Sequence, residues 1–216
     1  MFKYAKVINK ETGLCNVGVG TNVAFYKSID MVELDVQQSD IDGAWYLSDK
    51  CPMKTDEQKA KEERECIALL NMTGADVERA IYKVKGIDFD DILAMVKDNP
   101  AIDEKVLKIE FKANNFFRGN PYISQVGLLL GFTEGMLDKF FDTKDYQYLT
   151  KKTLTINSTP SNSVVTINGE VTNKVEVPYG TELEYSVELE GYTSYYGSIN
   201  LIEDKIIDVE LKRGEK

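Results

Sequence analysis

The sequence predicts an α+β fold made of three consecutive regions: a small N-terminal α/β unit, a central α-helical bundle and a C-terminal antiparallel β-sandwich. Apolar residues recur with a period of about two in residues 1–54 and again in residues 151–216. In residues 55–150, between them, the period lengthens to about 3.6. The content of 43% hydrophobic and 29% charged residues is typical of globular domains, so each region is expected to fold.

The first region, residues 1–54, is predicted to form the small α/β unit. Alternating apolar residues indicate four short strands, at residues 2–8, 14–20, 31–36 and 44–47. Residues 22–29 indicate one or two helical turns. Trp45, the only tryptophan, is interpreted as the packing anchor of a minimal core rather than as a ligand platform. A polar stretch containing Pro52 marks the boundary with the next region.

The second region, residues 55–150, is predicted to be a helical bundle. Thr55 and Gln58 have the spacing of a capping box, which predicts the start of a charged helix. Five more residues of the types that favour helix N-caps are each followed by apolar residues at helical spacing, which predicts five further helices. They are Thr73, Asp88, Asp103, Asn120 and Thr133. Gly86 and the Asn99-Pro100 pair are predicted to end two of the helices.

Two stretches of the helical region resemble each other, LNMTGADVERAI at 70–81 and LGFTEGMLDKFF at 130–141. We interpret them as a duplicated helix-turn-helix hairpin packed into one bundle, with a coincidence of capping chemistry as the alternative. Such a hairpin also invites a DNA-binding interpretation. Acidic residues accompany the basic ones on both second helices and the region as a whole is acidic, which favours packing between helices.

The third region, residues 151–216, is predicted to be the antiparallel sandwich. Six short alternating runs occupy residues 153–158, 164–168, 174–177, 182–189, 195–201 and 206–212. Turn residues separate the runs, among them Asn168-Gly169 and the PYG sequence at 178–180. Short strands at this spacing are typical of two packed antiparallel sheets.

Charge and residue types restrict the chemistry that the chain is expected to perform. Lys and Arg number 26 against 36 Asp and Glu, and the net charge of −10 is spread over all three regions. We expect no nucleic-acid partner, because phosphate binding needs a basic surface. Histidine is absent, which removes the commonest general base and zinc ligand. The three cysteines, Cys15, Cys51 and Cys66, are odd in number and are interpreted as reduced thiols.

Two acidic patterns resemble ligand sites, and each has a simpler interpretation. Asp88, Asp90 and Asp91 lie where a helix dipole already favours acidic residues. Asp40 and Asp42 begin a calcium-type loop whose other ligands are missing. We assign no catalytic, cofactor-binding or metal-binding residue and expect no cofactor and no enzymatic activity. A carbohydrate-active enzyme with paired carboxylates is an alternative, but no acidic pair in the sequence stands out from ordinary surface charge.

Three neighbouring tyrosines, Tyr192, Tyr195 and Tyr196, are the candidate surface-binding residues. On a β-sandwich such an aromatic group can stack on sugars or anchor a protein partner. Alternation along a strand directs some of them into the core.

The third region resembles a PEGA-type, immunoglobulin-like module. The matching pieces are TLTINSTPSNSVVTING at 153–169, VPYGTELEYSVELEGYTS at 177–194 and an alternating final strand, although the PEGA string itself is missing. The resemblance implies an immunoglobulin-like sandwich that serves as a spacer or an adhesive unit. Such modules are usually exported, whereas the N-terminus lacks the apolar stretch of a signal peptide. No apolar run reaches transmembrane length, so no membrane insertion is expected.

The first two regions resemble tail-region proteins of Firmicutes bacteriophages and prophages. The resemblance rests on YAKVINKETGLCNVGVGTNVAFYKSIDMVELDV at 4–36, on LNMTGADVERAIYKVKGIDFDDILAMV at 70–96 and on KANNFFRGNPYI at 112–123. It implies a virion or tail-assembly component and brings no active site. Assembly in the host cytoplasm and release by lysis also explain an adhesive module without an export signal.

These features predict a non-enzymatic bacteriophage virion component associated with the tail or baseplate, made in the host cytoplasm. The N-terminal docking unit and the helical bundle are expected to bind other phage structural proteins. The sandwich is expected to project for surface adhesion or spacing, with a host cell-surface glycan or protein as its candidate ligand. We expect a homo-oligomer within the particle. The alternative is a non-virion cytoplasmic phage protein that acts as an assembly chaperone or as an inhibitor of a host factor.

Overall fold

A computed structural model describes residues 2–97 and 99–214 and confirms the α+β class. The chain divides into two compact units, Met1–Glu65 and Cys66–Lys216, and the division falls within helix α2 (Asp56–Leu69). The second unit contains both the remaining helices and the C-terminal sheets. The division into three domains therefore stays a prediction.

The N-terminal unit is a closed barrel of four short antiparallel strands with the order β1-β2-β4-β3. The strands are β1 (Phe2–Val7), β2 (Leu14–Val17), β3 (Val32–Gln38) and β4 (Trp45–Leu47), and one short helix, α1 (Val23–Ser28), precedes β3. The core is small: Ala5, Cys15 and Val36 are buried. Trp45 packs against them, and the Lys3 ammonium lies 4.1 Å from the centre of its ring. Trp45 therefore anchors the barrel, as predicted.

The helices of residues 56–143 begin where the capping residues predict. After α2 they are α3 (Gly74–Lys85), α4 (Phe89–Val96), α5 (Glu104–Glu110), α6 (Pro121–Leu129) and α7 (Glu134–Thr143). Thr73, Asp88, Asp103, Asn120 and Thr133 each accept a backbone N–H of the following first turn. Thr55 and Gln58 form the predicted capping box ahead of α2. Gly86 ends α3 with a left-handed φ of 71°.

The helical region also contains two short strands that the apolar pattern of the sequence does not predict. These strands, β5 (Asn71–Thr73) and β6 (Asn115–Phe117), pair antiparallel and place Met72 and Phe116 in the core. The proposed duplication is therefore incomplete: the threonine cap recurs before α3 and α7, but a strand leads into α3. Three residues are too few for a period of two to be read from the sequence.

The core of the helical region is rich in aromatic side chains, and a buried arginine lies at its edge. Phe89, Phe111 and Phe116 stack on one another, and Phe140 and Phe141 are almost fully buried. At its periphery Arg118, whose side chain is only 7% exposed, binds the carboxylates of Glu134 and Asp138 on α7 and the hydroxyl of Ser124 on α6. Arg118 therefore ties the segment after β6 to both helices.

The C-terminal region forms the predicted sandwich of two sheets. The strands are β7 (Lys151–Thr159), β8 (Val164–Ile167), β9 (Glu170–Val171), β10 (Lys174–Pro178), β11 (Thr181–Glu188), β12 (Tyr195–Leu201) and β13 (Lys205–Glu210). Their orders are β10-β7-β13 and β12-β11-β8-β9. The pairs are antiparallel except β13 with β7, which is parallel. Asn168 and Gly169 have φ values of 48° and 83°, as a two-residue hairpin turn between β8 and β9 requires.

The helical region and the sandwich meet within the second unit at an aromatic contact. The rings of Tyr148 and Tyr179 pack edge to face with their centres 5.1 Å apart. The Tyr179 N–H donates to the Thr150 carbonyl over 3.0 Å. Gly180, with a φ of 77°, turns the chain directly beside the Tyr148 ring. The packing fixes the start of the sandwich against the end of the bundle.

Candidate interaction surfaces

The free edge of β12 is the least protected strand edge of the sandwich. β12 lies at the end of its sheet, and its seven residues, YYGSINL, include neither a charged residue nor proline. The edge at β10 carries Lys174, Glu176 and Pro178, and the edge at β13 carries lysine, aspartate and glutamate. At the far end of the β12 sheet, β9 has only two residues. Charges, proline and short length are the usual means by which proteins protect sheet edges.

Hydrogen bonding within the sheet determines which backbone groups of β12 face outward. The Asn168 N–H donates to the Glu184 carbonyl over 2.8 Å, so the backbone groups of Glu184 point toward β8. Backbone groups alternate along a strand, and those of the odd-numbered residues of β11 therefore point toward β12. The register pairs Tyr185 with Gly197, so Gly197 and its odd-numbered neighbours bond to β11. The N–H and C=O groups of Tyr196, Ser198 and Asn200 consequently point away from the sheet.

The three candidate tyrosines occupy different environments. Tyr192 is partly buried against the sandwich core and forms a bridge with Arg213. Tyr195, 44% exposed, begins β12 on the inner face and stacks on Tyr185 with ring centres 6.1 Å apart. Tyr196, 69% exposed, lies on the outer face and its hydroxyl donates to Glu188 over 3.0 Å. The structure therefore does not form one tyrosine platform, and binding through these residues stays a prediction.

The inner face of β12 is fitted closely to β11. A Cβ built on Gly197 would approach the Cζ and the hydroxyl oxygen of Tyr185 within 2.5 Å, so glycine is required there. Burial, followed by the hydrogen bond with Tyr195, raises the pKa of Tyr185 above its usual value. β12 is held to the sheet along one side while its other side remains open.

The outer face of the β12 sheet is polar and acidic. Glu182, Glu184 and Glu188 project from β11 on the face that carries Tyr196 and Ser198. A shallow groove runs between Thr166, Ser186, Tyr196 and Ser198. Within residues 2–97 and 99–214, the ion pairs of the sandwich are Lys151 with Glu176 and Lys205 with Glu203, and neither involves these three glutamates. The face therefore offers hydrogen-bonding groups and negative charge around one exposed ring.

The N-terminal barrel has a second kind of surface, rich in exposed apolar side chains. Val19 is fully exposed, and several more are largely exposed: Phe2, Ile8, Phe25, Val32 and Ile41. Helix α1 has no buried residue and is held to the barrel by Tyr26, whose ring stacks on Tyr4. A barrel with three buried core residues thus displays more large apolar side chains than it buries. Contact with another protein would remove these side chains from water, which is favourable.

The acidic residues considered as ligand sites have partners within the protein. Asp40 accepts the Lys54 N–H over 2.7 Å and pairs with Lys59, and the first of these bonds lowers its pKa. Asp42 accepts the Ala44 N–H over 2.9 Å, which is the main cause of its lowered pKa. Asp88 and its N3 partner form a capping box. Within residues 2–97 and 99–214 no cluster of three or more acidic or cysteine side chains could hold a metal ion.

Comparison with known proteins identifies one similarity. Residues 151–212 match the family described as head fiber dimeric protein-like domain, and the match includes all seven strands of the sandwich. It covers under a third of the chain. No curated protein and no solved structure matches. None of the helices in residues 2–97 and 99–214 is long and apolar enough to cross a membrane.

The match supports the expected class of protein but not its expected place in the particle. It indicates a phage structural protein that is a component of the virion, and it points to a structural rather than an enzymatic role. The description of the matched family names neither a tail protein nor a PEGA module. The expected PEGA-type identity and tail location are therefore not supported by the comparison.

Proposed function

We propose that the chain is a non-enzymatic structural protein of a phage particle that is attached to the head and exposes its C-terminal sandwich. The observation that carries the proposal is the match of the whole sandwich to a head-fiber domain family. The sequence has no histidine, and the carboxylates of Asp40 and Asp42 accept hydrogen bonds from backbone N–H groups of the protein itself. Both observations agree with a structural role. The resemblance of the first two regions to phage tail-region proteins supports a particle component, and attachment at the tail or baseplate is the outcome that would correct the location.

In this proposal the N-terminal barrel and the helical bundle attach the protein to the particle. The exposed apolar side chains of the barrel support attachment through this end of the chain, because contact with other particle proteins would remove them from water. The sandwich has an acidic, polar outer sheet face, which suits a part that stays in solvent. Surface adhesion to a host glycan or protein through this exposed part is the associated proposal, with Tyr196 as its most accessible aromatic group.

The sandwich also supplies the contact through which two copies associate. The matched family is described as dimeric, and we extend that property to this chain. A homodimer is the commonest symmetric assembly of soluble proteins. The unprotected edge of β12 agrees with self-association, since an unpaired edge of this length is otherwise exposed to irregular pairing.

Mass spectrometry of purified, DNase-treated particles tests the proposed function. We expect the chain at a copy number that is a fixed fraction of the major head protein and that resists high-salt washing. A loosely bound contaminant would be lost by the same wash. Absence of the chain from particles, with abundant protein in the lysate, would contradict the proposal and would favour an assembly chaperone or an inhibitor of a host factor.

A further inference from the structure

We propose that two copies of the chain associate by antiparallel pairing of β12 with β12 of the second copy, joining their four-stranded sheets edge to edge. The inference deepens the proposed function and rests on it for the expectation that two copies associate. It adds the surface, the register and the residues. The occupant of the edge is a second copy of this chain, and the three other edges of the two sheets are excluded by their sequences.

Symmetry fixes the direction of the pairing. A two-fold axis perpendicular to the joined sheet relates the two copies, and a strand paired with itself about such an axis is necessarily antiparallel. Overlap of the full length of β12, Tyr195–Leu201, places Ser198 on the axis opposite its own symmetry mate. Tyr196 then lies opposite Asn200 of the second copy.

The backbone groups required for that register are the ones that β12 leaves free. Tyr196, Ser198 and Asn200 direct their N–H and C=O groups away from β11, as the bond from Asn168 to Glu184 and the β11–β12 register determine. In the antiparallel arrangement each pair of such residues exchanges two N–H···O bonds. A register shifted by one residue would oppose groups that already bond to β11. The alternation therefore restricts the axis to registers that pair even-numbered residues with each other.

The side chains on both faces of the edge are compatible with close approach of a second copy. On the inner face Gly197 would lie beside Ile199 of the second copy, and Tyr195 would lie beside Leu201, which adds apolar contact to each sandwich. On the outer face hydroxyl and amide groups meet. The nearest acidic residues, Glu182 and Glu184, lie on β11, so the acids of the two copies stay about 14 Å apart, three strand spacings. At that distance salt screens most of their repulsion.

A charge-swap experiment on the purified full-length chain tests the register. Ser198→Lys places two ammonium groups opposite each other at the axis, and Ser198→Glu does the same with two carboxylates. We expect each variant alone to raise the dimer dissociation constant roughly fivefold or more, because like charges directly opposite in a sheet repel. Mixing the two variants should restore a heterodimer with a dissociation constant at or below that of the wild type. Sedimentation velocity over a range of concentrations measures all three.

Two control variants separate edge pairing from other effects of an added charge. Ser186→Lys puts the same charge on the same face one strand inward, and we expect the dimer to persist. Ile206→Lys adds a positive charge to the edge strand β13, where the Ile206 side chain is 65% exposed, and we expect the dimer to persist here too. Circular dichroism confirms that each variant is folded.

Three outcomes would overturn the inference: a wild-type chain that is monomeric throughout, a Ser198→Lys variant that dimerises normally, or dissociation by Ile206→Lys alone. Failure of the inference is distinguishable from failure of the proposed function. The oligomeric state is measured on the isolated chain, whereas the proposed function depends on the presence of the chain in particles.

Discussion

Arg118 shows how one residue can hold several segments of the bundle together. Its guanidinium binds Glu134 and Asp138 on α7, and an Nη atom donates to the Ser124 hydroxyl over 3.1 Å. The Arg118 N–H also donates to the Leu70 carbonyl, at the side of β5. The role of Arg118 could not be predicted, because nothing in the local sequence distinguishes a buried arginine from an exposed one. The only sequence feature that agrees with its role is the spacing of Glu134 and Asp138, four residues apart, which places both carboxylates on one face of α7.

We predict that Arg118→Met lowers the free energy of unfolding by about 2 kcal/mol, the scale of charged hydrogen bonds lost by a buried group. The two carboxylates are partly exposed and can be solvated by water, which keeps the cost below that of a fully buried pair. Chemical denaturation of the full-length chain measures the change.

The matched control is Arg79→Met, which removes an arginine that pairs with Asp76 on the surface of α3 over 2.6 Å. The Arg79 side chain is 67% exposed, so its pair is expected to contribute less than about 1 kcal/mol. Equal effects of the two substitutions would mean that Arg118 contributes no more than a surface pair.

At the scale of elements, capping chemistry and alternation were the reliable signals. The side chains predicted to start helices do so because they accept the first free N–H groups of the turn, which is a local property of the sequence. Six of the seven sandwich strands were predicted within one or two residues, since one face of each is buried. The seventh, β9, was not predicted, because its two residues are both exposed and show no alternation. The strands β5 and β6 could not be predicted, because their pairing joins residues distant in the sequence.

The contact between α6 and α7 depends on a glycine in a helix. A Cβ on Gly127 would approach Leu137 Cδ1 within 2.5 Å, and Leu137 is itself buried and has little room to move. We predict that Gly127→Ala lowers the free energy of unfolding by about 1 kcal/mol, because overpacking exceeds the gain in helix propensity. Thermal unfolding followed by circular dichroism measures it.

Gly135→Ala in α7 is the control for this prediction. A Cβ there meets nothing within 4 Å, and the position is exposed. The substitution should leave stability unchanged or raise it by up to about 1 kcal/mol through reduced freedom of the unfolded chain. A stabilising effect of Gly127→Ala would contradict the claim that α6 and α7 pack too closely at Gly127 to accept a Cβ.

At the scale of the whole molecule, the sequence predicted an α+β chain that ends in a sandwich, and it predicted a phage structural protein. The candidate site was less predictable. The tyrosines at 192, 195 and 196 were grouped because they are neighbours in the sequence, whereas sheet geometry sends Tyr195 and Tyr196 to opposite faces. The open edge of β12 depends on strand order, and strand order is set by contacts that local patterns do not contain.

Cryo-electron microscopy of purified particles tests the central claim most directly. We expect density at the head surface that fits two sandwiches joined along β12 about a two-fold axis. We also expect the N-terminal barrel to contact head proteins. Particles that contain the chain only at the tail would correct the location, and particles whose map has no density for the chain would contradict a role in the virion.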